Sequence, residues 1–178
     1  QLTGVASGRR LCFNAVLLSV YEPERNGFVH RAQFGLDRGW EEMKGREIPS
    51  DEITRNWTEE NRVSKSYHLR HRPNRDPDLP PSLVGRATRI SRRSGPNAWR
   101  PHETLWIPLV SGERLVGCLR VDDPKNGQSP SLDTIRALEI FANQAVTAIE
   151  IARSYTDARE QSIRDGLTGA YNHRYFQE

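Results

Sequence analysis

Residues 104–124, TLWIPLVSGERLVGCLRVDDP, and residues 130–153, PSLDTIRALEIFANQAVTAIEIAR, decide the fold. In the first stretch, LWIPLV (105–110) and ERLVGCLRVDD (113–123) are runs of strand-forming residues separated by Ser111-Gly112, which predicts a β-hairpin. Period-two alternation puts Leu115, Gly117, Leu119 and Val121 on one side of the second strand and Val116, Cys118, Arg120 and Asp122 on the other. The first side reads as a core face, and the second, half polar, as the floor of a pocket. After the loop 124–130, Ser131 can cap a helix whose positive end suits Asp133. No proline or glycine interrupts 132–164, so the helix runs roughly 50 Å at 1.5 Å per residue.

A helix that long outruns one small domain. Leu138, Ala142, Ala145, Ile149, Ala152, Thr156, Arg159 and Ile163 follow 4-3 spacing, which predicts a heptad seam, apolar as far as Ala152. Ile140, Phe141 and Ile151 lie off that seam, so the apolar surface is wider than one stripe. Two partners fit this width: the chain's own sheet and a helix of a second copy. The bland alternative is an amphipathic helix that only covers its own sheet. The reading taken is a homodimer through Leu138, Ala142, Ala145, Ile149 and Ala152.

Upstream, LCFNAVLLSVY (11–21) reads as a buried strand, PERNG (23–27) as a turn carrying an Asn-Gly hairpin signal, and FVHRAQFGL (28–36) as a second strand with one wetter face. A short helix or turn around Trp40 and Met43 follows. Ser50 is a candidate N-cap for a short helix presenting Ile53 and Trp57, and RVSKSYHL (62–69) alternates as a further strand. These elements give an α+β domain with an antiparallel sheet of about five to six strands flanked by helices.

Composition narrows the function classes. No run approaches the ~18 apolar residues of a membrane span, so no membrane contact is expected from this stretch. The two cysteines, Cys12 and Cys118, both fall in predicted strands, which suits buried thiols in a reducing, cytoplasmic compartment. The net charge is +3, but residues 64–100 carry nine basic and two acidic residues, so that segment is +7 and the rest is −4. A patch of that kind can draw nucleic acid or another polyanion. Its interleaved prolines and glycines favour a solvated insertion, about 70–100, and no recognised nucleic-acid module surrounds it. His68 and His71 form His-x-x-His at a strand-to-loop junction with no further ligand nearby, so no metal site is expected. No cofactor is evident, and no nucleophile–base–acid set stands out. The aromatic and polar residues Trp57, Tyr67, Trp99, Trp106, Arg120 and Asp122 form the candidate pocket for an unknown small-molecule effector, with core filling as the equal alternative.

Against this background, residues 104–153 resemble the GAF family: the hairpin with its Pro108, Val116-Gly117 and Val121-Asp122-Asp123, and the closing helix with Leu-Glu-x-Phe-Ala-x-Gln-Ala followed by Ala-Ile-Glu. GRRLCFNAVLLSVYEPE (8–24) resembles the family's first strand, and RVSKSYHL a strand of some bacterial signalling members. The resemblance implies a sensor domain over 1–156 with a long C-terminal signalling helix. It carries no Asn-Lys-x-Asp-Phe-type motif of the cyclic-nucleotide-binding members, and a thiol-dependent reductase on this fold would have only Cys118 near its pocket. Residues 157–164 read as the end of the helix. At 165–176, DGLTGAYNHRYF is similar to the Asp-x-Leu-Thr-Gly-x-x-Asn-x-Arg opening of GGDEF domains, carried by Asp165, Leu167, Thr168, Asn172 and Arg174. That resemblance implies a domain-coupling turn, with 165–178 the start of a diguanylate cyclase domain and the chain a part of a longer protein. The metal-binding carboxylates and the Gly-Gly-Asp-Glu-Phe signature are not within these residues, so this stretch is not itself an enzyme. Other readings are a module for dimerisation and relay only, or polyanion binding through the insertion.

Overall fold

The computed structural model describes residues 12–36, 40–70, 95–100 and 103–163. The GGDEF-like residues 165–178 and most of the basic insertion, His71 included, lie outside the described residues. Seven strands form one antiparallel sheet: β1 (Phe13–Glu22), β2 (Gly27–Phe34), β3 (Glu47–Pro49), β4 (Arg62–Val63), β5 (Ser66–Leu69), β6 (Thr104–Ser111) and β7 (Arg114–Pro124). Their order is β3-β2-β1-β7-β6-β5-β4. Helices α1 (Trp40–Met43) and α2 (Ser50–Thr54) are short, and α3 (Leu132–Ile163) is the long closing helix. No helix among the described residues is long and apolar enough to cross a membrane.

Local chemistry accounts for the turns. Between β1 and β2, Asn26 takes a left-handed conformation and its N–H donates to the Pro23 carbonyl, as an Asn-Gly turn favours. Ser131 caps α3, its hydroxyl accepting from the Thr134 N–H. Ser50 does not cap α2; it is the first helical residue, and its hydroxyl donates to Asn26 across the β1–β2 turn.

Three sequence expectations change. The strand count rises to seven because Glu47–Pro49 pairs with β2 and because 62–69 is two strands rather than one. Alternation alone cannot see that second break. Ser64 sits at φ +63, and the Glu139 carboxylate on α3 accepts from the Ser64 hydroxyl, the Lys65 N–H and the Ser66 hydroxyl at 2.9, 2.8 and 2.7 Å. A tight hairpin anchored to the helix replaces the continuous strand. The second change is a bulge: Leu109 pairs with Gly117 but Val110 with Leu115, leaving Val116 without a partner. Leu119 and Val121 keep their predicted face, but Val116 swings to their side and Leu115 to that of Cys118.

The third change concerns α3. Ile135, Ala142, Val146 and Ile149 are buried under the sheet with Phe13, Leu105, Ile107, Leu109, Val116 and Val121, and Leu138 and Ala145 pack against the same cluster. Four residues of the predicted dimer seam, Leu138, Ala142, Ala145 and Ile149, are therefore occupied by the chain's own sheet; Ala152 lies beyond it and is exposed. Polar contacts hold the rims: Arg114 pairs with Glu150 at 3.0 Å, and the Arg153 guanidinium donates to the Tyr21 carbonyl.

Candidate functional site

The sheet face away from α3 gathers alternate residues of five strands. Tyr67 pairs with Trp106 and Trp106 with Arg120, so neighbouring strands set the three side by side. The Arg120 guanidinium carbon lies 5.3 Å from the centre of the Trp106 ring, a cation–π distance, and Arg120 Nε donates to Thr104 Oγ1 at 3.0 Å. Trp57, from the segment after α2, stacks on Tyr67 with ring centres 5.5 Å apart and planes 5° apart. Its edge meets Phe28, 6.3 Å away. Ile53, Leu69 and Cys118 complete this cluster.

Four of the six candidate residues thus come together: Trp57, Tyr67, Trp106 and Arg120. Trp99 goes elsewhere. It stacks on His68 at 5.3 Å, meets the edge of Phe13 at 6.3 Å and belongs to the core under α3. Asp122 shares the face of Arg120 but lies at the strand's end. Burial pushes its carboxyl above the usual carboxylate range, opposed by the Arg120 charge and by hydrogen bonds from the Asp123 N–H and the Trp99 side chain. His68, the described half of His-x-x-His, has Nε2 3.5 Å from Glu103 Oε2. That distance permits an ion pair if the ring is protonated, but its geometry makes no hydrogen bond, and among the described residues Nε2 is a buried atom without one. Among the described residues no group of three His, Cys, Asp or Glu is placed to hold a metal ion.

Two further orphans belong to the aromatic face. The indole nitrogens of Trp57 and Trp106 are buried and have no hydrogen-bond partner among the described residues. Each such donor costs about 1–3 kcal/mol unless an acceptor reaches it.

Beside Arg120 lies a polar set that motif reading missed. Ser19 Oγ is 2.8 Å from His30 Nδ1, and Ser19 is paired with Cys118, whose thiol it also hydrogen-bonds. The available signal was a serine inside the apolar run of β1 and a histidine on the Phe28–Ala32–Phe34 face of β2, the drier of its two faces. Burial lowers His30 to about 4, helped by the charges of Arg120 and Arg46, and burial raises the Cys118 thiol to about 12. Neither group has the proton affinity for nucleophile–base work at neutral pH. The set is a closed polar core, which argues against a thiol-dependent enzyme. Cys12 is exposed and Cys118 buried, correcting the expectation of two buried thiols. A water-soluble maleimide is therefore expected to label one thiol per native chain and the second only after unfolding. Two fast-reacting thiols would show that the aromatic face is open at Cys118.

No family model and no curated protein matches the chain. Solved structures do. The GAF domain/HD domain protein from Geobacter sulfurreducens superposes with a TM-score of 0.55 at 11% identity, over 80% of this chain and 83% of that one. The phycocyanobilin-bound GAF domain from a cyanobacterial phytochrome gives 0.53 at 16%, over 86% and 82%. The GAF domain from an Acinetobacter phosphoenolpyruvate-protein phosphotransferase gives 0.51 at 14%, over 86% and 80%. The fold is that of GAF domains: an antiparallel sheet closed by a C-terminal helix.

Proposed function

We propose that this chain is the regulatory sensor domain of a signalling protein, that a small-molecule effector binds the face formed by Trp57, Tyr67, Trp106 and Arg120, and that α3 carries the response to a diguanylate cyclase domain. The observation that carries the effector site is the pair of buried indole donors, without a partner among the described residues, beside a buried guanidinium. A planar ligand with hydrogen-bond acceptors would satisfy all three on an aromatic wall. The phytochrome neighbour holds phycocyanobilin, so the fold accommodates ligands.

Two contacts of β5 support a path to the helix. On β5, Tyr67 faces the aromatic cluster while its neighbour Ser66 bonds Glu139 on α3 across the sheet. An effector that binds one position of β5 better than another would bias the helix by that difference in affinity. The cyclase output rests on Asp165, Leu167, Thr168, Asn172 and Arg174, whose spacing resembles the opening of GGDEF domains. Cytoplasmic placement is part of the same proposal.

The test is native mass spectrometry of the protein isolated from cells. A bound mass is expected, and Arg120→Gln should weaken its binding about 10–100-fold, the worth of one charged hydrogen bond. Titrating the released compound back should move the indole N–H resonances of Trp57 and Trp106 and leave that of Trp99 in place. A chain that carries nothing, with indole signals unmoved across a metabolite library, would leave a relay module without an effector. The output half is tested by cyclic di-GMP formation from GTP in the full-length protein, with and without that compound.

A further inference from the structure

Among the described residues Arg120 is a buried cation without an ion-pair partner. It is 6% exposed, and no Asp or Glu of the described residues pairs with its guanidinium. The ladder sets it between Trp106 on β6 and Leu17 on β1, so one flank is aromatic and the other aliphatic. Thr104 Oγ1 accepts from its Nε, but a hydroxyl is neutral and leaves the charge unbalanced. Asp122 stands two residues along β7, ~7 Å away at the backbone, where its charge is felt without closing an ion pair. Buried charges are ordinarily paired, because an unpaired one loses its hydration without compensation.

The surroundings add positive charge. Phe28 pairs with Ile48 and Val29 with Glu47, and one residue on the His30 N–H donates to the Arg46 carbonyl at 3.3 Å. Arg46 is therefore the cross-strand neighbour of His30, on the face that carries Phe28 and Ile48. In strand order His30 lies between the two arginines, and it is neutral at neutral pH.

We infer that the effector face takes a planar aromatic carboxylate, its carboxylate held by Arg120 and its ring set against Trp57, Tyr67 and Trp106. This rests on the effector site proposed above and narrows its ligand to one class. Three features select that class. The guanidinium is a planar fork that matches the two oxygens of a carboxylate, and one buried positive charge suits a monoanion better than a phosphate of about −2. The indole N–H groups of Trp57 and Trp106 can only donate, and neither has a partner among the described residues. The ligand must therefore bring acceptors, and a carboxylate offers about four lone-pair sites. The ring is matched by Trp57 stacked on Tyr67 at 5.5 Å, with Trp106 next to Tyr67 in the ladder. Arg46 is exposed and acts at longer range, drawing anions to this face. An aromatic amine would meet two guanidinium groups and two N–H donors, and is rejected.

The test is binding of 2-naphthoate and of its methyl ester, which keeps the ring and an acceptor but carries no charge. Both are titrated into protein freed of bound compounds and read at the indole N–H resonances of Trp57 and Trp106. The Trp99 resonance is the internal reference and reports that each variant is folded. The parent is expected to bind 2-naphthoate at least ~10-fold more tightly than the ester, the worth of one charged hydrogen bond. Arg120→Gln should bring the two within about twofold, and Arg120→Lys, which keeps the charge, should retain the preference. Arg46→Gln should weaken 2-naphthoate by about 2–5-fold at low salt and leave the ester unchanged. An ester that binds as tightly as the acid, or a preference that survives Arg120→Gln, would overturn the carboxylate assignment and leave the effector site standing. So would a compound recovered from the native protein that moves both indoles and carries no carboxylate. Binding of 2-naphthoate that moves neither indole would place it elsewhere on the chain and overturn the assignment too. Indoles unmoved by every compound would overturn the effector site itself, and the assignment with it.

Discussion

Gly35→Ala is expected to lower stability by about 3–5 kcal/mol, a large part of the ~5–15 kcal/mol a domain commonly has. Gly35 follows β2 at φ +76, where an alanine is strained by about 1–2 kcal/mol. The added Cβ would lie 1.7 Å from the Asn14 carbonyl oxygen on β1, so backbone must move. The contact fixes how the chain leaves the sheet: the next residue, Leu36, packs with Ala15, Leu17, Trp40 and Met43. Shifting it would loosen α1 and the wall beside the aromatic face. Gly117→Ala should be milder, because its φ is ordinary, yet its Cβ would come within 2.4 Å of the Ser19 carbonyl at the centre of the sheet. Urea unfolding followed by far-UV circular dichroism measures both. A Gly35→Ala midpoint matching the parent's would mean that β2 leaves β1 along another path.

Acid is expected to destabilise the domain well before general carboxylate titration, through His30. Its ring is held neutral to about 4, mainly by burial and then by Arg120 and Arg46, against an ordinary value of 6.5. The unfolded chain takes up a proton below pH 6.5 and the folded one does not until about 4, so stability falls as pH drops through that window. At about 1.4 kcal/mol per pH unit the loss approaches roughly 3 kcal/mol. Asp122 acts in the opposite sense at the acid end. Its raised folded value makes the native state bind the proton more readily than the unfolded chain, which returns some stability as the carboxyl protonates. His30→Gln keeps an amide for Ser19 and removes the titration. Its stability should be flat between pH 6.5 and 4 where the parent's slopes. A parent whose urea midpoint holds across that window would show that His30 is protonated in the fold.

Much of this was legible in the sequence because local periodicity reports local geometry. The β6–β7 hairpin, the side of the sheet taken by Leu119, Val121, Cys118 and Arg120, and the span of α3 all follow from spacing and caps. The failures share a cause. Val116 breaks the alternation at a bulge, the β4–β5 hairpin depends on Glu139 from a helix 73 residues away, and Trp99 finds its partners in His68 and Phe13. Each is a long-range contact overriding a local pattern. The Ser19–His30–Cys118 set escaped for the same reason, since it spans three strands and has no sequence spacing.

The long helix shows the division most clearly. By itself the sequence determined that α3 is continuous and amphipathic, with an apolar surface wider than one stripe, because 3.6-residue periodicity and the absence of helix breakers are local properties. It could not determine which stripe faces inward, since Leu138–Ala142–Ala145–Ile149 and Phe141–Gln144–Ala148–Ile151 both keep heptad spacing. Only the tertiary structure decided that. The sheet takes the stripe that sets Ile135, Leu138, Val146 and Ile149 into the core and whose rim residues Glu139, Glu150 and Arg153 meet partners, and so leaves Phe141, Ile151 and Tyr155 exposed.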